Sequence, residues 1–177
     1  MRANDSVIRA YATQFKNVMM DLKRVGAFEK DCVFRSFPRG CCGDTCNLLA
    51  DFLLSKGIET IYVSGDFNGQ SHAWLVVKDD WIIPSIKRTI EVSDNIGLIY
   101  FQYGGASSFE VINYTEDDII NGLIIDITAD QFGKPSVYVG YMDDFYQQFE
   151  FDRADDYNGL QSGRLKRIYD DINKLIR

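Results

Sequence analysis

The spacing of apolar residues changes along this 177-residue chain, and that change constrains the fold more than any other feature. Apolar side chains recur three or four positions apart over residues 5–26, which predicts an amphipathic helix. The same spacing from Cys42 to Lys56 predicts a second helix. Gly57 closes it, because glycine readily adopts the left-handed conformation that ends helices. From residue 58 onward the apolar residues alternate or form short continuous runs, which is typical of strands.

Strand-like segments fill the centre of the chain. The clearest predicted strands are 58–64, 73–77 and 123–128, and a polar turn is predicted at 65–71. A shorter strand is predicted at 81–83, after a hairpin turn. The neighbour of 73–77 in the sheet is therefore either 81–83 or 123–128, and the sequence leaves both open.

The stretch 84–121 is less regular and is predicted to be an insertion. It holds a capped turn that begins at Thr115 and three short β-like pieces, at 89–92, 98–103 and 109–113. A helix is predicted at 145–151, and a last amphipathic helix at 165–176. These elements predict one α+β domain over residues 1–177, with helices first, a mostly antiparallel sheet next and a closing helix.

Composition excludes several classes of function. The chain has 19 Lys and Arg against 26 Asp and Glu, so its formal net charge is −7. Nucleic-acid binding requires clustered positive charge, and no nucleic-acid partner is expected. Aromatic residues make up 14% of the chain, enough to build a core, so an intrinsically disordered protein is also excluded.

Neither an export signal nor a membrane-spanning segment is expected. No long apolar run follows the early Arg2, and no stretch reaches the roughly 18 apolar residues of a membrane span. A cytoplasmic protein without a membrane partner is therefore expected. In that compartment cysteines are thiols rather than disulfides. The cluster of Cys41, Cys42 and Cys46 then indicates a site or small core residues.

Three residues in a particular order indicate chemistry: a cysteine opens a helix, a histidine begins a strand, and an aspartate lies in a later strand. Cys42 lies between Cys41 and Gly43 at the predicted start of a helix. There the positive end of the helix dipole favours a nucleophilic thiolate, and unpaired amides can bind an oxyanion. His72 is the only histidine of the chain, so any imidazole chemistry depends on it.

Asp126 lies in an otherwise apolar strand, between Ile125 and Ile127. Burying a carboxylate without a partner costs several kcal/mol. The N–H of His72 is the partner that explains its position, because it would orient the ring for proton transfer. Asp130 is the competing aspartate and is predicted to be a turn or cap residue at the end of the strand.

The segment from Gly40 to Ile58 resembles the nucleophile helix of transglutaminase-like cysteine enzymes, in which Gly-x-Cys opens a helix that ends in Gly-Ile. Counting back from Gly57 selects Cys42 rather than Cys41 as the family's cysteine. The run His72-Ala73-Trp74 is similar to the family's His-Ala-Trp strand. The run Asp126-Ile127-Thr128 is similar to its Asp-Pro-Thr, with isoleucine in place of proline.

The resemblance implies a papain-like (transglutaminase-like) fold with a Cys42–His72–Asp126 triad. It implies a thiol-dependent amide hydrolase, a protease or deamidase, that acts through an acyl-thioester on a protein, a peptide or a small amide. Acyl transfer on the same fold is an alternative, and no cofactor is implied. Two other classes remain: a catalytically silent binding module that uses 84–121 as its interface, and a zinc protein liganded by the cysteine cluster and His72. The second is disfavoured because adjacent cysteines chelate awkwardly, so no metal is expected.

Two further groups are assigned to substrate binding. The backbone amide of Cys42 is the expected oxyanion donor, and Gln70 or Ser36 is the candidate for a side-chain donor. Trp74 is assigned to the core or to a substrate-contacting cleft wall. A loop with Tyr100 and Tyr103 is a weaker candidate for lining the cleft. Cys46 and Cys32 are predicted to be small packed residues rather than nucleophiles.

Overall fold

The computed structural model describes residues 5–91 and 108–176, and four α-helices form in this part of the chain. They are α1 (Asp5–Arg24), α2 (Cys42–Leu54), the short α3 (Glu116–Ile119) and α4 (Gly163–Leu175). The helix predictions at 5–26, 42–56 and 165–176 are confirmed to within about two residues. None of the helices in these ranges is both long and apolar enough to cross a bilayer.

Seven strands of the described chain form one sheet. They are β1 (Thr60–Phe67), β2 (Gln70–Val77), β3 (Ile86–Glu91), β4 (Ser108–Asn113), β5 (Ile124–Asp126), β6 (Tyr138–Gly140) and β7 (Glu150–Asp156). Their order is β3-β4-β7-β1-β2-β5-β6, and each neighbouring pair is antiparallel. The α+β class is confirmed.

The β1–β2 hairpin is tighter than the sequence predicts. A broad turn was expected at 65–71, but both strands continue until Phe67 pairs with Gln70, leaving Asn68 and Gly69 as the turn. Both turn residues have positive φ, 53° and 74°, which suits Asn-Gly in a two-residue hairpin. The longer hairpin brings Gly65 opposite His72, so the histidine lies inside a paired strand.

The structure resolves which strand borders β2 and corrects two predictions. β5 pairs with β2, through Leu75↔Ile125 and Val76↔Ile124, so Asp126 lies on the strand next to His72. The strand predicted at 81–83 is wrong, since residue 81 lies in a turn and 82–83 have no regular secondary structure. The helix predicted at 145–151 is reduced to one 3-10 turn at Tyr146–Gln148, after which β7 begins.

β7 escaped prediction because its sequence is polar. Only Ala154 is buried among its residues, so there is little apolar alternation to detect. The position of β7 in the sheet is set by its backbone pairing with β1, which runs from Ile61↔Asp156 to Asp66↔Glu150. Within the predicted insertion, β3 and β4 pair as an edge hairpin. The predicted piece at 98–103, with Tyr100 and Tyr103, lies outside the described residues.

The core has two halves, one on each face of the sheet. Helices α1, α2 and α4 pack on one face, around residues such as Phe15, Leu49, Phe52, Leu75 and Ile125. The other face is covered by the loops around β6 and β7, with Trp74, Tyr146 and Phe149 at its centre. Helix α2 packs against β1 and β2, so its N-terminus lies near the middle of the sheet.

A buried lysine ties α1 to the segment after β5. The Lys16 ammonium donates to the carbonyl of Ile127 at 2.6 Å and pairs with Asp130 Oδ2 at 2.9 Å. Lys16 is 3% exposed, so this cation needs both partners. The prediction of Asp130 as a turn residue is confirmed, since it lies in the 3-10 turn Ala129–Phe132, and it is also the counter-ion of Lys16.

Candidate active site

The three residues singled out in the sequence meet beside one cleft. Cys42 is the first residue of α2, His72 lies in β2, and Asp126 ends β5. Cys42 and His72 both line a cleft of about 890 Å³ between the start of α2 and the ends of the central strands. Asp126 lies behind His72, away from the cleft, and is buried with it at 1% exposure each.

The carboxylate of Asp126 is held by four hydrogen bonds. Its Oδ2 contacts His72 Nε2 at 2.7 Å and accepts the Tyr146 hydroxyl at 3.1 Å. Its Oδ1 accepts the backbone N–H of Thr128 at 2.7 Å and the Thr128 hydroxyl at 3.0 Å. A carboxylate satisfied on both oxygens is fixed in place, and its position in turn fixes the His72 ring.

Aromatic side chains enclose the rest of the His72 ring. The ring centroids of Phe132, Phe149 and Trp74 lie 4.9, 5.5 and 5.8 Å from that of His72. Such surroundings keep water from the His72–Asp126 bond and strengthen it. Trp74 is buried and does not line the cleft, so of its two predicted roles the structure supports packing in the core and not contact with substrate.

The second ring nitrogen of His72 faces the thiol side. Nδ1 is buried without a hydrogen-bond partner, and the Cys42 side chain lies close to the ring. Burial lowers the pKa of His72, but the hydrogen bond to Asp126 and the nearby Cys42 side chain outweigh it and raise the pKa to about 9. At neutral pH the ring therefore carries a proton that it can give to a group in the cleft.

Local backbone structure leaves free donors around Cys42. Gly40 has φ +68°, a conformation that glycine adopts without strain, and it turns the chain into the helix. The Cys41 side chain makes no capping bond, and the first helical hydrogen bond runs from Thr45 N to Cys41 O at 2.8 Å. The amides of residues 42–44 therefore have no acceptor within the helix.

The other three cysteines are either buried or outside the cleft, so their surroundings do not suit a catalytic nucleophile. Burial raises the pKa of Cys41 to about 11, although its sulfur accepts a hydrogen bond from Thr45 Oγ1 at 3.5 Å. Burial also raises the pKa of Cys46 well above its usual value. Cys32 is exposed and outside the cleft, so its prediction as a packed residue is wrong. All four are free thiols.

An ion-pair bridge fixes the cleft side of α2. The Arg164 guanidinium of α4 pairs with Asp44 in the first turn of α2 and with Asp31, at 3.1 Å, in the preceding loop. Arg164 therefore supplies Asp44, which lines the cleft, with a counter-ion. That counter-ion reduces the opposition of the Asp44 carboxylate to a thiolate at Cys42.

The two predicted side-chain donors are not in the cleft. Gln70 is exposed at the beginning of β2 and Ser36 is exposed in the loop before α2, and neither lines the cleft. The structure therefore gives no support to Gln70 as a substrate-binding residue.

Tyr62 is the hydroxyl that the sequence reasoning missed. Its oxygen lies 3.1 Å from where a Cβ at Gly43 would be, so glycine gives it room beside α2. Burial raises the pKa of Tyr62 to about 12, so it remains an O–H donor at neutral pH. The strand alternation that buries Ile61 and Val63 was the available signal, because it places Tyr62 on the opposite face.

Within residues 5–91 and 108–176, no group of three His, Cys, Asp or Glu side chains is arranged to hold a metal ion. Comparison with known proteins adds no assignment. No family model, no curated protein and no solved structure matches this chain significantly.

Proposed function

We propose that this protein is a cysteine hydrolase of the transglutaminase-like, papain-like type, and that it cleaves amide bonds with Cys42, His72 and Asp126. The observation that carries the proposal is the setting of His72. One of its nitrogens is fixed by a buried, fully bonded carboxylate, and the other is unpartnered beside a cleft that contains the only partly exposed cysteine of the cluster.

Each residue has one role. The Cys42 thiolate attacks the substrate carbonyl carbon, so a C–S bond forms and the carbonyl π electrons move to oxygen. The His72 imidazolium donates its Nδ1 proton to the leaving nitrogen as the C–N bond breaks, and an amine departs. Water then attacks the thioester. His72 accepts a proton from that water, the C–S bond breaks, and the carboxylic acid is released as Cys42 returns to the thiolate beside the His72 imidazolium.

The oxyanion formed in each attack needs donors. The backbone amide of Cys42 at the start of α2 supplies one, as the sequence analysis expected. The Tyr62 hydroxyl lines the cleft and stays protonated at neutral pH, and it takes the role proposed above for Gln70. Asp126 orients the ring throughout.

Thiol reactivity tests the proposal without a known substrate. In native protein at pH 7, iodoacetamide should alkylate Cys42 faster than Cys32, as followed by peptide mass spectrometry, although Cys32 is the more exposed. His72→Ala should slow alkylation of Cys42 by about 100-fold and leave Cys32 unchanged. Cys32 is thus an internal control within each sample.

Equal rates at Cys42 and Cys32, with no effect of His72→Ala, would instead support a catalytically silent binding module of the same fold. Circular dichroism of the variant establishes that it is folded, so that a slow rate reports chemistry and not collapse. Formation of an acyl-thioester with an activated acyl donor, detected as a mass increase at Cys42, then separates acylation from simple thiol reactivity. Release of that acyl group to added amine rather than to water would identify acyl transfer.

A further inference from the structure

The walls of the cleft carry an unbalanced negative charge. Apart from His72, whose charge is paired with Asp126 behind the ring, five charged residues line it: the carboxylates of Asp44, Asp66, Glu150 and Asp152, and the guanidinium of Arg153. A hydrolase that accepted any amide would not need several carboxylates beside its nucleophile. The distribution of these charges identifies the kind of substrate that the cleft can hold.

Two of the five charges have partners on the protein. Asp44 is paired with Arg164 of α4. The Arg153 guanidinium contacts Asp155 at 3.4 Å and lies over the ring of Tyr62, 5.2 Å from its centroid. These pairs neutralise both residues locally, so they contribute little field to the cleft.

The other three carboxylates have no cationic partner in the described part of the chain. Asp66 accepts only the Gly69 amide of its own turn, at 2.9 Å, and Asp152 accepts the Ser64 hydroxyl at 2.9 Å. Asp66 and Glu150 are directly opposite each other on β1 and β7. Like charges in that arrangement destabilise a sheet. The repulsion between these two carboxylates, next to the Gly65–His72 pair, therefore lowers the stability of the sheet, and a cationic ligand would reduce that repulsion.

A second observation points to a ligand at the same place. His72 lines the cleft, and its buried Nδ1 has no hydrogen-bond partner, although the Cys42 side chain lies close to the ring. A buried polar atom is normally satisfied, and a substrate or leaving group in the cleft would satisfy this one. The three carboxylates and the side chain of His72 therefore line the same cleft.

The geometry points to a cationic substrate: an amide or peptide with a lysine-like or arginine-like side chain, whose charge lies against Asp66, Glu150 and Asp152 while its carbonyl faces Cys42. This deepens the hydrolase proposal and rests on it. The faces of Tyr62 and Phe151, which also line the cleft, suit the aliphatic stem of such a side chain. Anionic substrates would meet repulsion before they reached the thiol.

Charged thiol reagents of similar size measure this field at Cys42. In a Cys32→Ser background, the rate of modification by trimethylammonioethyl methanethiosulfonate is compared with the rates for the anionic sulfonatoethyl and the neutral methyl reagents. At low ionic strength the cationic reagent should react at least ~10-fold faster than the anionic one. The ratio should fall several-fold in 1 M salt, where the screening length is about 3 Å.

Asp66→Asn with Glu150→Gln should reduce the cation-to-anion ratio by about 5-fold, each charged rate being divided by the neutral reagent's rate on the same protein to remove any change in thiolate fraction. A matched control, Asp170→Asn with Glu116→Gln, removes the same charge from exposed sites outside the cleft and should leave the ratio unchanged. An oligolysine amide should also protect Cys42 from the neutral reagent, and an oligoglutamate amide should not.

The two proposals fail in different ways. A ratio near one, or a ratio that the control pair alters as much as the cleft pair, overturns cationic selectivity while leaving the hydrolase intact. Cys42 that is inert even to the neutral reagent and indifferent to His72→Ala overturns the hydrolase itself.

Discussion

The two sides of the His72 ring differ in burial and in how completely their polar groups are hydrogen-bonded. On the Asp126 side everything is buried and satisfied: the carboxylate makes four hydrogen bonds, and aromatic rings exclude water. On the Cys42 side Nδ1 is unpartnered, and the cleft is open enough to admit a molecule. The difference teaches that one half of the site is fixed at folding, and the other half is left for a ligand to complete.

Removing the charge on the fixed side should have the largest effect. Asp126→Asn removes the main favourable partner of the imidazolium, so burial should dominate and lower the pKa of His72 from about 9 to its usual value near 6.5 or below. NMR titration reads this directly, because the chain has one histidine. Alkylation of Cys42 at pH 7 should slow by roughly 10- to 100-fold. A His72 pKa still near 9 in the variant would show that Asp126 does not govern the ring.

The same pKa predicts how stability depends on pH. His72 has a folded pKa above its unfolded value. Its contribution to the free energy of unfolding is therefore complete below about pH 6.5 and is lost as the pH rises through about 9. Urea denaturation should show a loss of up to roughly 3 kcal/mol from this source between pH 6 and pH 10. His72→Gln should show a smaller loss over that interval. The difference between the two proteins removes the contribution of other groups, and identical pH profiles would contradict the prediction.

The Tyr146 hydroxyl is one of the four donors to Asp126, on the buried side of the His72 ring. Tyr146→Phe keeps the ring, which packs 5.2 Å from Trp74, and removes only the hydroxyl that donates to Asp126. The expected cost is about 1–2 kcal/mol of unfolding free energy, because a buried charged acceptor loses one of its donors. Labelling of Cys42 should slow only a few-fold. Tyr138→Phe, which removes a hydroxyl bonded to the carbonyl of Tyr141 near the surface, is the control and should cost less.

The smallest effect on thiol reactivity is expected on the open side. Tyr62→Phe should change alkylation of Cys42 by less than about 2-fold, because alkylation forms no oxyanion. Acyl-thioester formation from an activated donor should slow by roughly 10- to 100-fold if the hydroxyl serves the oxyanion. Equal effects on both reactions would assign Tyr62 a packing role. The two assays together therefore separate oxyanion binding from nucleophile activation.

The order of elements was readable because the helices and inner strands have strong apolar periodicity. The first residue of α2 was fixed by Gly40 and the apolar spacing that follows, and Asp126 was conspicuous as a charge in an apolar strand. β7 was not readable, since six of its seven residues are only partly buried or exposed. Tyr146 carried no signal of its role, because a hydroxyl 20 residues away from the carboxylate that it supports has no characteristic spacing.

The sequence by itself determined which residues can do chemistry here. A chain with one histidine has one imidazole to offer, and a buried strand aspartate needs a partner. Only the tertiary structure decided that β5 rather than 81–83 borders β2, and so that Asp126 reaches His72. It also decided which carboxylates surround the thiol. The physical reason is that strand pairing and charge balance depend on residues far apart in the chain, and local periodicity does not record them.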